Sequence, residues 1–127
     1  MHGDDVALCK RGVQIDELHA LLSTCRELTQ YKRLVVAFQP HTYTRTKALF
    51  DDFVRELQLP DITVLAEIYA AREQNVLGIS SRDLAEKIPG SIYCSTLDKV
   101  TDTLAGLARP GDLILPCLLY TSDAADD

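Results

Sequence analysis

Short apolar runs alternate with amphipathic helical patterns along this chain, and this alternation limits the possible folds more than any other feature. Runs with the length of strands, partly β-branched, cover residues 33–38, 62–68, 91–94 and 113–115. Helical patterns precede, separate and follow them, at about 14–28, at 44–57, from 81 after a capping box, and from 97 to 107. Such alternation implies right-handed βαβ units. The sequence therefore predicts an α/β fold with a mostly parallel sheet and helices on both faces.

The two ends of the chain do not continue this pattern. A doubly wound sheet should proceed from its fourth strand to a loop and another helix, but a short acidic tail follows Pro116. A frayed terminus is one interpretation of this tail, and we favour the other, a segment foreign to the domain. We therefore expect a domain at 14–116 that is truncated at its C-terminal end. It would lie between a divergent or foreign segment at 1–13 and a non-native tail at 117–127.

Composition excludes several classes of protein and of site. The 127 residues suffice for one domain with a core, and a net charge of −6 argues against general nucleic-acid binding. No apolar run approaches the roughly 18 residues that span a bilayer. The four cysteines form no C-x-x-C pair, so we expect reduced thiols, a cytoplasmic protein and no metal site. His19 is expected on the surface of the first helix.

The loop from Gln39 to Lys47 is the first candidate site, because it follows the first strand and ligands bind at the carboxyl ends of parallel strands. Arg45 has a guanidinium that holds a carboxylate or phosphate by two parallel hydrogen bonds. His41 and Tyr43 are further donors, and we expect Thr44 or Thr46 to cap the following helix. A solvated loop with a helix cap is the simpler alternative.

A second polar cluster, 67–73, follows the second strand and should reach the same edge of the sheet. Its loop is long, and long loops in compact domains are often functional. From composition alone, the simpler interpretation is favoured: Arg72 and Glu73 are surface charges, and Tyr69 packs on the sheet. The sequence contains no G-x-x-x-x-G-K-[ST] phosphate loop and no G-x-G-x-x-G fingerprint. We therefore expect one wall of a site and no catalytic residues.

Four segments of this chain together resemble the C-terminal domain of the Mur ligases, over about residues 18–115. Within that family they are most similar to the members that join L-alanine to UDP-N-acetylmuramate. The segments are Phe38-Gln-Pro-His-Thr-Tyr-Thr-Arg-Thr-Lys-Ala48, Ala66-Glu-Ile-Tyr-Ala-Ala-Arg-Glu73, Leu77-Gly-Ile-Ser-Ser81 and Arg109-Pro-Gly-Asp-Leu113.

The resemblance implies a Rossmann-like third domain that closes over the site of a three-domain enzyme and helps to bind the amino acid. In such ligases of bacterial peptidoglycan synthesis, ATP phosphorylates the muramoyl carboxylate, and the amine of alanine attacks the acyl phosphate. The first domain binds the UDP-sugar, and ATP and Mg²⁺ are bound mainly by the central domain. Because this chain resembles only the third domain, we expect it to be inactive alone.

By this similarity, His41 and Arg45 would face the carboxylate of alanine, and Thr42, Tyr43, Tyr69 and Arg72 would belong to the same substrate-binding face. Thr42 stands where many members carry arginine. The family segment that approaches the ATP ribose has no counterpart before the first helix, so no cofactor-binding residue is assigned. Two alternatives stay open. One is the sibling ligase that attaches a tripeptide to the same sugar for recycling, and the other is a non-catalytic, flavodoxin-like anion-binding module.

Overall fold

The computed structural model describes residues 15–117 of the chain. Helices and strands alternate in this part, except that two short helices follow one another after the first strand. The elements are α1 (Ile15–Arg26), β1 (Arg33–Phe38), α2 (Tyr43–Ala48), α3 (Phe50–Glu56), β2 (Ile62–Ala66), α4 (Ser81–Lys87), β3 (Ile92–Cys94), α5 (Leu97–Leu107) and β4 (Asp112–Cys117).

The four strands form one parallel sheet in the order β3-β2-β1-β4. β1 lies inside the sheet, where Val35 pairs with Ile62 of β2 and with Ile114 of β4. Residues 34–38 are all buried, which explains why this strand is a continuous apolar run without polar alternation. The α/β fold with a parallel sheet is confirmed.

Helices cover both faces of the sheet, as the sequence predicts. α1, α3 and α4 pack on one face, and α5 packs on the other against β2 and β3. The larger core on the first face consists of Leu18, Leu22, Leu34, Val36, Phe38, Phe53, Leu57, Leu65, Leu84, Ile88, Leu115 and Cys117. The smaller core on the second face consists of Ala37, Val64, Ala66, Cys94 and Val100.

Several element boundaries differ from those expected. The helix predicted over 44–57 is interrupted at Leu49, whose φ of −109° leaves helical geometry, although its N–H still bonds to the Arg45 carbonyl. The capping box at Ser80 and Asp83 is confirmed. Cys117, the first residue of the expected tail, is buried and ends β4. The other terminal residues, 1–14 and 118–127, lie outside the described part, so the domain limits stay a prediction.

Ion pairs fasten the edge of the sheet at which the strands begin, here called the amino edge. The Arg33 guanidinium donates two hydrogen bonds to the Asp112 carboxylate, at 2.9 and 2.7 Å. Arg26 bonds to the Asp61 carboxylate at 2.7 Å. His19 is exposed on α1, as expected, but its Nδ1 also lies 2.6 Å from a carboxylate oxygen of the buried Glu56. Its role is therefore partly structural.

Candidate functional site

The loops after β1 and β2 are joined at the opposite edge of the sheet, here called the carboxyl edge. Tyr69 donates its backbone N–H to the Pro40 carbonyl at 2.9 Å, and Thr42 donates its own to the Tyr69 carbonyl at 2.8 Å. These bonds form a short parallel bridge between His41 and Tyr69. The two rings stack, with centroids 5.4 Å apart and planes 14° apart. The two motifs singled out in the sequence therefore form one surface.

Thr42 caps α2, whereas the sequence suggested Thr44 or Thr46 for this role. The Thr42 hydroxyl oxygen accepts a hydrogen bond from the Arg45 N–H at 3.2 Å. The Thr46 hydroxyl instead donates to the Thr42 carbonyl within the first turn. Thr42 has φ 67° and ψ 147°, close to a region that only glycine adopts readily. The backbone at the start of the candidate site is therefore strained.

Glu73 is not simply a surface charge, because its carboxylate binds the first turn of α2. One oxygen accepts hydrogen bonds from the N–H groups of Tyr43 and Thr44, at 2.8 and 3.1 Å, and the other accepts from the Thr44 hydroxyl. These bonds, with that from the Thr44 hydroxyl foremost, lower the pKa of Glu73. Glu73 therefore occupies the two N–H groups at the start of α2 that could otherwise bind an external anion.

The charges around His41 favour its neutral form. Partial burial lowers the pKa of His41, the nearby Arg45 guanidinium lowers it further, and Glu73 opposes both with a smaller effect. At neutral pH, the ring is therefore an uncharged hydrogen-bonding group. Arg45 lies in the first turn of α2, one turn beyond the strained Thr42, and its partly buried guanidinium supplies positive charge beside the His41–Tyr69 stack.

The other expected site residues divide between this surface and a neighbouring cleft. Tyr43 begins α2 and is attached to Glu73 through its backbone. Tyr69 and the exposed Arg72 line a cleft of about 530 Å³ at the carboxyl edge. Gln39 and the start of α5 also line this cleft. Tyr69 thus belongs to both the stack and the cleft, whereas Arg72 lies on the cleft side.

Glu67 is a residue whose role the sequence did not reveal. Its carboxylate accepts hydrogen bonds from the Tyr93 hydroxyl at 2.5 Å and the Ser80 hydroxyl at 2.8 Å. It also accepts from the N–H groups of Ile68 and Ser81, at 2.9 and 3.0 Å. Both ends of the loop 68–80 are thereby attached to one side chain. An acidic residue directly after a buried strand was the only signal in the sequence.

Two opposing effects act on the ionisation of Glu67. Partial burial alone would raise its pKa. The hydrogen bonds from Tyr93, Ser81, Ile68 and Ser80 together outweigh this effect, so the pKa lies below its ordinary value. Glu67 is therefore a carboxylate at neutral pH, and its negative charge holds the donors of the loop in place.

Nowhere in residues 15–117 do three His, Cys, Asp or Glu side chains come together in a group that could hold a metal ion. Within the same range, no helix is long and apolar enough to cross a membrane.

Comparison with known protein sequences identifies relatives of this chain. A sequence model of the Mur ligase glutamate ligase domain matches residues 11–117. A UDP-N-acetylmuramate–L-alanine ligase of Halorhodospira halophila is 44% identical over 104 residues, which cover 78% of this chain and 21% of the relative. The enzymes of the same name from Neisseria meningitidis serogroup A and Caldicellulosiruptor saccharolyticus are 41% and 39% identical, over 78% and 77% of this chain and 22% of each relative.

These matches confirm the resemblance seen in the four sequence segments. The chain spans about a fifth of the length of the curated relatives it matches. The matched region contains the whole described structure, including both loops of the carboxyl edge. The chain belongs to the Mur ligase family and matches its glutamate ligase domain.

Proposed function

We propose that this chain is the amino-acid-binding, site-closing C-terminal domain of a cytoplasmic, ATP-dependent ligase that joins L-alanine to UDP-N-acetylmuramate in peptidoglycan synthesis. The names of relatives at 39–44% identity support the reaction. The observation that carries the proposal is the contact between His41 and Tyr69, which unites two separate motifs beside Arg45. A composite surface with a cation at the carboxyl edge suits an amino-acid carboxylate.

In this proposal Arg45 binds the carboxylate of alanine with its guanidinium, and the neutral His41 ring donates one hydrogen bond to it. Thr42 fixes the start of α2 through its cap, and Tyr43, Tyr69 and Arg72 complete the substrate-binding face. None of these groups moves a proton in the reaction. Their contribution is to orient the amine of alanine toward the acyl phosphate, because orientation of two reactants lowers the barrier to their reaction.

The remainder of the ligase supplies the chemistry that this chain lacks. There the activated muramoyl group is held as an acyl phosphate, formed with ATP and Mg²⁺. The amine nitrogen attacks the carbonyl carbon, a C–N bond forms, and the C–O bond to phosphate breaks as the amine loses a proton. The UDP-sugar would bind the first domain, and ATP and Mg²⁺ would bind mainly the central domain. This division of roles predicts that the 127-residue chain has no ligase activity by itself.

A chimera tests the proposal directly. The chain replaces the matching segment of the Neisseria meningitidis relative, and ADP release is measured with ATP, UDP-N-acetylmuramate and L-alanine. We expect ADP release that requires both substrates, and none from the isolated chain. A folded chimera without such activity contradicts the proposal. If it instead releases ADP with the tripeptide in place of L-alanine, the chain belongs to the recycling ligase. Binding of inorganic phosphate by the isolated chain, without activity of the chimera, favours an anion-binding module.

A further inference from the structure

Two neighbouring apolar side chains project from the loop between β2 and α4. Val76 is 83% exposed and Leu77 is 45% exposed, which makes Val76 the most exposed large apolar residue of the described part. Two other exposed apolar side chains, Leu28 and Tyr31, lie near the amino edge and are exposed by 36% and 38%. An adjacent pair of this kind at the carboxyl edge is a candidate contact with another surface.

The loop holds this pair in a fixed position. The Asn75 side chain accepts a hydrogen bond from the Ile79 N–H at 3.1 Å and donates one to the Ile79 carbonyl at 2.9 Å. Ile79 is buried, and Gly78 has φ +66°, the left-handed geometry that the tight turn needs. The side chains are therefore presented on a closed, anchored turn. This organisation reduces the entropy lost when another surface covers them.

The same loop is attached to the proposed amino-acid site. Glu73, three residues before Val76, binds the first turn of α2, which also carries Arg45. Glu67 and Ser80 fasten the two ends of the loop to each other. The loop that carries Val76 and Leu77 is therefore attached, through Glu73, to the helix that carries Arg45.

We infer that Val76 and Leu77 form the contact through which this domain docks on the rest of the ligase chain when the site is closed. The inference rests on the proposed function. The surface that covers Val76 and Leu77 is an apolar patch on the other domains of the ligase. The relatives are four to five times as long as the matched region, so they contain such further domains. The pair lies at the edge of the sheet where the substrate must meet those domains.

Methyl NMR tests the contact without relying on activity. The Val76 and Leu77 methyl signals are recorded in the isolated chain and in the Neisseria chimera with UDP-N-acetylmuramate and an ATP analogue. We expect both residues to shift and to show contacts with methyl groups of the other domains, whereas the Leu28 signals stay unchanged. Unshifted Val76 and Leu77 signals overturn the inference even if the chimera is active. Shifts that depend on the concentration of the isolated chain assign the pair to self-association and overturn it as well.

Substitution gives a second, independent measurement. Exposed side chains contribute little to folding. The isolated Val76→Ser/Leu77→Ser variant should therefore unfold at about the same temperature as the unsubstituted chain. In the chimera, the loss of two buried apolar contacts should lower kcat/KM by about tenfold. Leu28→Ser is the matched control and should leave kcat/KM unchanged. Equal kcat/KM for the double variant and the unsubstituted chimera contradicts the docking contact, whereas an inactive unsubstituted chimera counts against the proposed function alone.

Discussion

The two edges of the sheet use their acidic side chains in different ways. At the amino edge, Asp112 and Asp61 each bind an arginine, Arg33 and Arg26. At the carboxyl edge, Glu67 and the other acid of the loop, Glu73, are bound by hydroxyls and backbone N–H groups from segments up to 30 residues away. The first arrangement links strand and helix ends, and the second shapes loops.

This difference indicates how a binding surface is kept compatible with a stable fold. A guanidinium bound to a carboxylate by two bonds has used the fork that would recognise a substrate carboxylate. At the carboxyl edge, hydroxyls and backbone N–H groups bind Glu67 and Glu73. Loss of a loop acid should therefore disturb structure, whereas loss of Arg45 should disturb binding.

The largest effect on stability is expected from Glu67→Ala. This substitution leaves two hydroxyls and two N–H groups at the base of the loop without their acceptor, and it should lower the free energy of unfolding by about 2 kcal/mol. Urea unfolding of the full chain measures this change. Glu86→Ala, an exposed acid on α4, is the control and should change little. Equal stability of the two variants would show that the loop does not depend on Glu67.

Tyr93→Phe should have a smaller effect, because it removes one of the four donors to Glu67 and keeps the ring. We expect a loss of about 1 kcal/mol at pH 7. The pKa of Glu67 lies below its ordinary value of 4.5. Its contribution to stability is therefore complete above about that pH and is lost as the pH falls through the lower folded value.

In the Tyr93→Phe variant the folded-state pKa of Glu67 should rise, so the loss of stability on acidification becomes smaller and is complete at a higher pH. Titration of the Glu67 side-chain carboxyl carbon by NMR measures the change. The exposed Tyr31 offers a matched control, Tyr31→Phe, which should leave the pKa of Glu67 where it is. An unchanged pKa of Glu67 in Tyr93→Phe would show that the Tyr93 hydroxyl does not stabilise the Glu67 carboxylate.

Two substitutions of Thr42 distinguish the effect of backbone strain from the effect of helix capping at the start of the site. Thr42→Gly relieves the positive φ and costs little as a cap, so we expect a gain of about 1 kcal/mol in the free energy of unfolding. Thr42→Ala keeps the strain and loses the hydroxyl acceptor, so we expect a loss of about 1 kcal/mol. Thermal and urea unfolding of both variants give the answer, and a shift of both in the same direction would refute this explanation.

The smallest expected effect is a coupling energy between two side chains. Its dependence on salt should differ between the two edges. A double-mutant cycle of Arg26→Met and Asp61→Asn should give a coupling energy of about 0.5 kcal/mol, because this pair is largely exposed. The coupling should nearly vanish at about 1 M salt, where charges are screened within about 3 Å. A cycle of Tyr93→Phe and Glu67→Gln should keep most of its coupling. The same salt dependence for both cycles would contradict the proposed difference between the acids of the two edges.

Sequence reasoning predicted the order of the elements, the limits of β1 and the capping box at Ser80, because each depends on residues close in the chain. It also predicted that His41 and Tyr69 reach the same edge, which follows from two parallel strands. The roles of Glu67 and Glu73 could not be predicted in this way. Apart from the adjacent Ile68, their partners lie 13 to 30 residues away, and only the folded sheet determines the distances.

The kinetics of an Arg45→Gln variant of the Neisseria chimera show whether the carboxyl edge holds the amino-acid carboxylate. Loss of a charged hydrogen-bonding partner should raise the KM for L-alanine by at least about tenfold. The KM values for ATP and UDP-N-acetylmuramate should stay within about twofold, as they should for the amino-edge control Arg26→Gln. An unchanged KM for L-alanine, with or without a raised KM for ATP, would contradict the account.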